Sequence, residues 1–174
     1  MKIIPFPQPV EFNRIIELMD LVNEIYETEE HDFWEEGHVR TNEDELMQLA
    51  EEDRLLLAVE DDQIIGSIAL DFHSPDLAEF KMLICDPSYR GKGIGSNLIA
   101  HAEGLAKQKG IHHMQLVLVS PLEGEHSGKN LLRQWYQDLG YSITKNQSLT
   151  QSIPHLSKVA VMPLKCEIMS KSLR

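Results

Sequence analysis

Three alternating glycines, Gly91, Gly93 and Gly95, stand directly before a helical pattern and restrict how this part of the chain can fold. Glycine permits tight turns and leaves no side chain over the backbone. The first amides of a helix have no partner within the helix, so a bare helix start can bind an anion such as phosphate. The spacing matches neither the P-loop nor the usual dinucleotide-binding pattern. A tight strand-to-helix turn that binds nothing is the alternative explanation.

The residues around these glycines predict a strand, a loop, a helix and a second strand. Apolar residues at three-to-four spacing predict the helix, and Gly110 ends it. The preceding strand alternates between two faces. One face carries Phe80, Met82 and Ile84, and the other carries Glu79, Lys81, Leu83 and Cys85. This order is typical of a crossover unit, although it does not determine the order of the strands.

The rest of the chain predicts further helices and strands of one α+β or α/β fold with a mixed sheet. Two helices are expected before residue 52: the first ends near Glu27, and the second begins with a capping signature at Thr41 and Asn42. Two apolar runs joined by Asp61 and Asp62 predict a hairpin. A last helix stopped by Gly140 and two closing strands follow.

Length and charge limit the partners of the chain. Its 174 residues, 42% of them hydrophobic, suit a single domain. A net charge of −12 argues against a nucleic-acid or anionic membrane partner. The prolines of the first ten residues interrupt any signal-like run and no segment has membrane-spanning length, so we expect a cytoplasmic protein.

The acidic residues are unevenly distributed. Between Glu24 and Asp62 lie 16 of the 28 acids, with only Arg40 and Arg54 as bases. A solvated surface on two helices explains this excess, and attraction of a cationic acceptor is the alternative.

Cysteine and histidine give no sign of metal or thiol chemistry. Cys85 and Cys166 are far apart, which argues against a disulfide, and Cys85 has no histidine at a spacing typical of a nucleophile pair. The eight histidines show no usual zinc spacing, so we expect no metal cofactor.

The glycine segment, with the residues before and after it, resembles the acyl-coenzyme-A loop of GNAT-type N-acetyltransferases. The loop signature is matched by Arg90, Gly93 and Gly95. A downstream tyrosine four residues before a Gly-aromatic pair is matched by Tyr136. The resemblance covers nearly the whole chain. The chain is also similar to a poorly characterised subgroup that has a His-x-x-Lys segment before a Trp-Tyr pair, here His126 and Lys129. It implies one GNAT domain over residues 1–174, with a mixed, mostly antiparallel sheet flanked by about four helices.

This resemblance implies the site and the reaction. The cosubstrate is acetyl-CoA, and the acceptor is an amine, expected to be a small molecule; a homodimer is compatible with the sequence. The pantetheine arm pairs with Leu83, Ile84 and Cys85, and the pyrophosphate is held by the amides of Arg90, Gly91, Lys92, Gly93, Ile94, Gly95 and Ser96. Glu79 is expected to be the general base and Tyr136 the general acid toward the thiolate.

Each catalytic assignment has a structural alternative. Glu79 can be a solvent-facing strand residue, and Tyr136 can be a core residue beside Trp135. The same alternatives allow a second function class, a regulatory module that binds acyl-CoA without turnover. The resemblance also has gaps, because Lys129 stands where family members often have asparagine and Asn130 is displaced by one position.

Overall fold

The chain forms seven strands and five α-helices, and the computed structural model describes residues 1–174. The strands are β1 (Lys2–Pro5), β2 (Leu55–Glu60), β3 (Gln63–Ser74), β4 (Leu77–Cys85), β5 (His113–Pro121), β6 (Ser142–Ser148) and β7 (Leu164–Ser172). The helices are α1 (Phe12–Glu30), α2 (Glu43–Glu51), α3 (Ile94–Gln108), α4 (Ser127–Asp138) and α5 (Leu149–Ser152). Two short 3₁₀ helices cover Pro87–Tyr89 and Pro154–Lys158.

All strands belong to one sheet in the order β1-β2-β3-β4-β5-β7-β6. Every neighbouring pair is antiparallel except β4 and β5, which run parallel. Parallel neighbours need a crossover connection, and α3 supplies it. The mixed, mostly antiparallel sheet of an α+β fold is therefore confirmed.

Two local sequence signals produce the expected structures. Asp61 and Asp62 both adopt positive φ, 49° and 65°, which is the geometry of the tight hairpin turn that joins β2 to β3. The side chain of Asn42 accepts a hydrogen bond from the amide of Glu45 at 2.9 Å and caps α2.

The apolar core lies on both faces of the sheet. The larger cluster packs α3 and α4 against one face, and the second packs α1 and α2 against the other. A third, small cluster forms around Phe33 and Leu149, where the loop after α1 meets α5.

The alternation predicted for β4 is wrong at one point. Phe80 packs on the α3 face, whereas Met82 and Ile84 pack on the α1 face. The cause is a bulge: the register with β3 shifts after Lys81, and Met82 has a φ of 48°. One extra residue reverses the facing of every side chain after it. Leu83 and Cys85 consequently pack on the α3 face, opposite Glu79 and Lys81.

Candidate functional site

A gap opens between the two central parallel strands. β4 and β5 pair only through Leu77–Glu79 and His113–Gln115, and beyond these residues no pairing joins them. The parallel strands separate toward their carboxyl ends, where open α/β sheets characteristically bind ligands. The gap therefore passes through the sheet between its two helical layers.

Backbone amides of β4 point into this gap. The amide of Asp86 donates to the carbonyl of Ile65 at 2.9 Å, so the backbone N–H groups of even-numbered residues in this part of the strand point toward β3. Alternate amides of a strand face opposite edges, so Leu83 and Cys85 present their N–H groups to the gap. Ile84 contributes a buried side chain to the core and turns its amide toward β3. Of the three residues expected to meet the pantetheine arm, two thus offer free amides.

The glycine loop presents a continuous run of unpartnered amides. No N–H from Gly91 to Ser96 donates to any backbone or side-chain acceptor of the protein, and the first paired amide of α3 is that of Asn97. The amide of Arg90, which was expected in the same set, instead donates to the carbonyl of Pro87 at 3.3 Å, so only the side chain of Arg90 is left to face an anion. Gly91 and Gly93 have φ values of 77° and 76°, so a residue with a side chain would be strained at either position. Such a run at a helix start is a strong anion site.

The side chains of the loop leave these amides accessible. Ile94 points into the core, and a Cβ on Gly95 would lie 3.0 Å from the Trp135 ring. Arg90 forms an ion pair with Glu29 at the end of α1, and the ammonium of Lys92 lies 4.6 Å from the centre of the Tyr89 ring. Two cations accordingly flank the amides without covering them.

Cys85 is not arranged as a nucleophile. Burial, with a smaller contribution from Asp86, raises the pKa of its thiol. A raised pKa keeps the thiol protonated, whereas reactive cysteines have depressed values.

One cavity of about 1420 Å³ connects the gap with both proposed catalytic residues. Its lining includes the amide-bearing residues of β4, the start of α3 at Gly95, Glu79 and Tyr136. The structure therefore brings together residues that are far apart in the sequence.

Tyr136 lies on the α3 side of the gap. Its ring is buried against Phe80 and Tyr141, while its hydroxyl has no hydrogen-bond partner within the protein and borders the cavity. Burial raises the pKa of Tyr136, and the neighbouring Tyr26 adds to the effect. The hydroxyl therefore remains protonated at neutral pH and is available as a donor.

Glu79 lies on the opposite side of the gap. Its Oε2 accepts a hydrogen bond from Gln115 at 2.6 Å and lies 3.4 Å from the ring nitrogen of His73. Its Oε1 has no partner within the protein. The carboxylate is 18% exposed and lines the cavity, so one oxygen is held in place and the other is free to accept a proton.

Several residues that line the cavity were not predicted from the sequence. Tyr26 and Arg40 come from α1 and the loop after it, and Gln115 comes from β5. Gln147, Gln151 and Ile153 come from the segment around α5. None belongs to a recognisable motif, and their proximity depends on long-range packing.

A buried ion pair fixes the loop after α1 onto α4. The ammonium of Lys129 pairs with Glu30, and both side chains are at most 10% exposed. Trp34 donates its indole N–H to the other oxygen of Glu30 at 2.9 Å. His126 caps α4 by accepting from the amide of Lys129 at 3.1 Å. The His126 and Lys129 pair noted in the sequence thus has a structural role next to the cavity.

The comparison with family models identifies the chain. The model of the Acetyltransferase (GNAT) family matches residues 17–141, which include most of α1, the β4 gap, the glycine loop and Tyr136. The chain belongs to the GNAT family. It is accordingly an acyltransferase, and the match ends at Tyr141, the aromatic residue of the downstream motif.

Solved structures share the GNAT fold of this chain. An aminoglycoside 6'-N-acetyltransferase complexed with coenzyme A is similar with a TM-score of 0.74 at 18% identity, covering 100% of this chain and 98% of that one. The PaiA N-acetyltransferase from Thermoplasma acidophilum, in complex with coenzyme A, gives 0.71 at 19% identity, covering 99% of each chain. The aminoglycoside 6'-N-acetyltransferase from Enterococcus faecium gives 0.73 at 16% identity, covering 100% of this chain and 98% of that one. A search of curated proteins finds no match.

No helix combines the length and apolar composition needed to cross a membrane. No group of three or more histidine, cysteine, aspartate or glutamate side chains is arranged to hold a metal ion.

Proposed function

We propose that this protein transfers the acetyl group of acetyl-CoA directly to a primary amine within a ternary complex. The observation that carries the proposal is the single cavity that connects the gap beside the glycine loop with Tyr136 and Glu79. Residues 1–174 act in this proposal as one acetyltransferase domain. A cytoplasmic location and a homodimer stay predictions from the sequence.

In this proposal, the coenzyme binds two sets of free amides. The pyrophosphate binds the amides from Gly91 to Ser96, with Arg90 and Lys92 as flanking cations. Arg90 exchanges its partner Glu29 for phosphate when the coenzyme arrives. The pantetheine arm lies along β4 in the gap and brings the thioester toward Tyr136. Two GNAT neighbours are named as complexes with coenzyme A, which supports this cosubstrate.

The reaction needs no covalent enzyme intermediate. The amine nitrogen attacks the thioester carbonyl carbon, a C–N bond forms, and the C–S bond breaks to release the thiolate of coenzyme A. Holding both substrates in one cavity supplies most of the rate, because the bimolecular encounter becomes an oriented one. An amide N–H of Leu83 or Cys85 stabilises the developing oxyanion.

Two protons move in this scheme. The free Oε1 of Glu79 takes the amine proton, directly or through one water, while Gln115 and His73 hold the other oxygen. The protonated hydroxyl of Tyr136 donates to the departing sulfur on the other side of the gap.

The acceptor is proposed to be a small molecule. A cavity enclosed by α1, the loop after it and the α5 segment suits a compact acceptor. Three structural neighbours support this choice: two are aminoglycoside acetyltransferases, and the third is an N-acetylglutamate synthase from Neisseria gonorrhoeae complexed with coenzyme A and N-acetyl-glutamate. Their different substrates leave the acceptor of this chain to its own residues.

The deciding experiment measures coenzyme A release against a panel of amines. The proposal expects amine-dependent release, with an acetylated product of matching mass. A regulatory module that only binds acyl-CoA would bind acetyl-CoA in calorimetry and release nothing with any amine. Absence of acetyl-CoA binding would contradict both functions.

A further inference from the structure

The cavity contains one arginine whose charge is not neutralised by the protein. Its other basic side chains have carboxylate partners: Arg90 pairs with Glu29, Lys129 with Glu30, and Lys81 with Glu45 and Asp71. Arg40 has no carboxylate oxygen within ion-pair distance, although it lines the same cavity and is partly buried. A guanidinium in this setting is available to an anion from outside.

Arg40 is held in place. The next residue, Thr41, is clamped to α1 because its amide donates to Asn23 at 3.0 Å and its carbonyl accepts from Asn23 at 3.1 Å. The guanidinium carbon lies 5.3 Å from the centre of the Tyr26 ring. The position over an aromatic face and a hydrogen bond to the Tyr26 side chain restrict the long Arg40 side chain, and the other donors of the guanidinium stay available.

The carboxylates near Arg40 are already occupied. Glu30 is bound by Lys129 and Trp34, and Glu45 accepts from Thr41 at 2.7 Å and pairs with Lys81 at 3.3 Å. Burial and the charge of Arg40 lower the pKa of the neighbouring His38. His38 is therefore neutral near pH 7, and Arg40 is left as a single positive charge.

Tyr26 connects Arg40 with the reacting end of the cavity. The ring that lies under Arg40 belongs to Tyr26, which lines the cavity together with Tyr136 and Glu79. A small molecule bound at Arg40 is thus next to Tyr26 and shares the cavity with both proposed catalytic residues.

We propose that the acceptor is an amino-carboxylate whose carboxylate binds Arg40 and whose amine faces the thioester and Glu79. This inference rests on the proposed acetyl transfer and names its substrate class; the product is an N-acetylated amino-carboxylate. A monoanionic carboxylate matches one guanidinium, whereas a phosphate dianion would leave charge uncompensated beside a neutral His38.

The negative charge of the acidic surface does not prevent Arg40 from binding an anion. The cavity-lining acids without partners, Glu27, Glu35 and Glu36, are exposed at the rim. Exposed charges are screened by salt, while the partly buried fork of Arg40 makes charge-assisted hydrogen bonds. The excess of acids between Glu24 and Asp62 thus favours a solvated surface over a cationic acceptor.

The test compares matched acceptors that differ only in charge. At saturating acetyl-CoA, kcat/KM is measured for α- and ω-amino acids of increasing chain length. Each is compared with its carboxamide, with the amino-alkyl phosphate in which phosphate replaces the carboxylate, and with the diamine of equal length. The expected result is a preference of about 10- to 100-fold for the best carboxylate over its carboxamide, the range of one or two charge-assisted hydrogen bonds.

Arg40→Gln locates the effect. This variant should raise KM for the carboxylate and bring the carboxylate and carboxamide to equal kcat/KM. Lys107→Gln removes an exposed cation of α3 outside the cavity and should preserve the preference. Circular dichroism confirms that both variants are folded.

The outcomes separate this inference from the function on which it rests. Equal rates for every carboxylate and its carboxamide, or a preference for diamines or amino-alkyl phosphates, would overturn the inference. The proposed acetyltransferase function would still stand. If no amine is acetylated, the proposed function fails, and calorimetry of the same compounds with the coenzyme A-loaded protein decides: carboxylate binding lost in Arg40→Gln supports the anion site, and no binding overturns it.

Discussion

At the scale of single residues, the proposed site depends on two side chains that each keep an oxygen free to face the cavity. Tyr136 is buried, burial raises the pKa of its hydroxyl, and this hydroxyl is free to face the cavity. Glu79 keeps one carboxylate oxygen bonded and the other free. Because the two side chains lie on opposite sides of the gap, each proton transfer can be tested separately.

Tyr136→Phe should lower turnover by about 10²–10⁴-fold, since the ring packing remains and the proton donor is lost. Acetyl-CoA affinity should barely change. The raised pKa predicts no loss of wild-type activity from titration of this residue up to about pH 10. Steady-state kinetics and calorimetry measure both quantities.

Tyr141→Phe is the matched control, because it removes a buried hydroxyl that is bonded to Glu103 at 2.8 Å and does not line the cavity. It should keep wild-type turnover. Equal turnover in the wild type and Tyr136→Phe across the pH range would reduce Tyr136 to a packing residue.

Glu79→Gln should slow turnover at neutral pH while coenzyme affinity stays unchanged. The deficit should shrink as pH rises, because more of the amine is then deprotonated without a base. The pH–rate profile of Tyr136→Phe should show no such recovery. A Glu79→Gln deficit that is constant with pH would argue against its role as a base.

At the scale of elements, the start of α3 and the loop after α1 shape the two halves of the cavity. The free amides depend on the left-handed conformation of Gly91 and Gly93. The position of the loop after α1 depends on the buried pair between Glu30 and Lys129.

Gly93→Val should abolish coenzyme A binding, because a β-branched residue is strained at a φ of 76° and its side chain would stand beside the free amides. Gly110→Val is the control: Gly110 has a φ of 77° and open space around it, and it lies at the far end of α3. Both variants should lose similar stability in urea unfolding. Unchanged affinity in a folded Gly93→Val variant would exclude the phosphate site.

Lys129→Met should destabilise the protein by about 3–5 kcal/mol, because Glu30 is then a buried charge without a partner. Urea unfolding measures the loss. The double variant Lys129→Met with Glu30→Gln should recover part of it, since the uncompensated charge is gone. Lys92→Met is the control: it replaces an exposed lysine and should change the free energy of unfolding little. A single variant as stable as the wild type would contradict the structural role of the pair.

The sequence predicted the elements and the motif residues because their signals are local. Periodicity located the helices and strands, and turn chemistry located the β2–β3 hairpin. The bulge at Met82 was not predictable, since it arises from a mismatch of two strands and no residue type marks it. Helix α1 also continues to Glu30, past the end expected near Glu27, because Glu30 is fixed by Lys129, 99 residues away.

The same limit applies to the site. The glycine loop, Glu79 and Tyr136 are recognisable from motif and position, whereas the roles of Arg40 and Gln115 depend on contacts across the fold. Acceptor-side residues of this kind come from loops whose sequence carries no general pattern.

At the scale of the whole molecule, β4 and β5 leave the sheet incompletely paired at its centre. Any ligand that binds the native state and not the unfolded chain stabilises the fold by mass action. Coenzyme A at about 100 times its Kd should therefore add about 2.7 kcal/mol and raise Tm by roughly 5–10 °C.

Thermal unfolding with increasing coenzyme A checks this effect. Adenosine 3'-phosphate 5'-diphosphate keeps the pyrophosphate and lacks the pantetheine arm, so at equal concentration it should give a smaller increase. An increase as large as that given by coenzyme A would show that the arm contributes nothing in the gap. No change with either ligand would contradict the proposed binding mode.

The parting of β4 from β5 has one more consequence in the proposed complex. The pantetheine arm fills the place of an absent strand, so the sheet gains a non-protein member that is replaced at every turnover. The bound cosubstrate then contributes part of the free energy that stabilises the folded protein. When acetyl-CoA and coenzyme A are scarce, more of the protein would be in its unloaded and less stable form, in which proteolysis is faster.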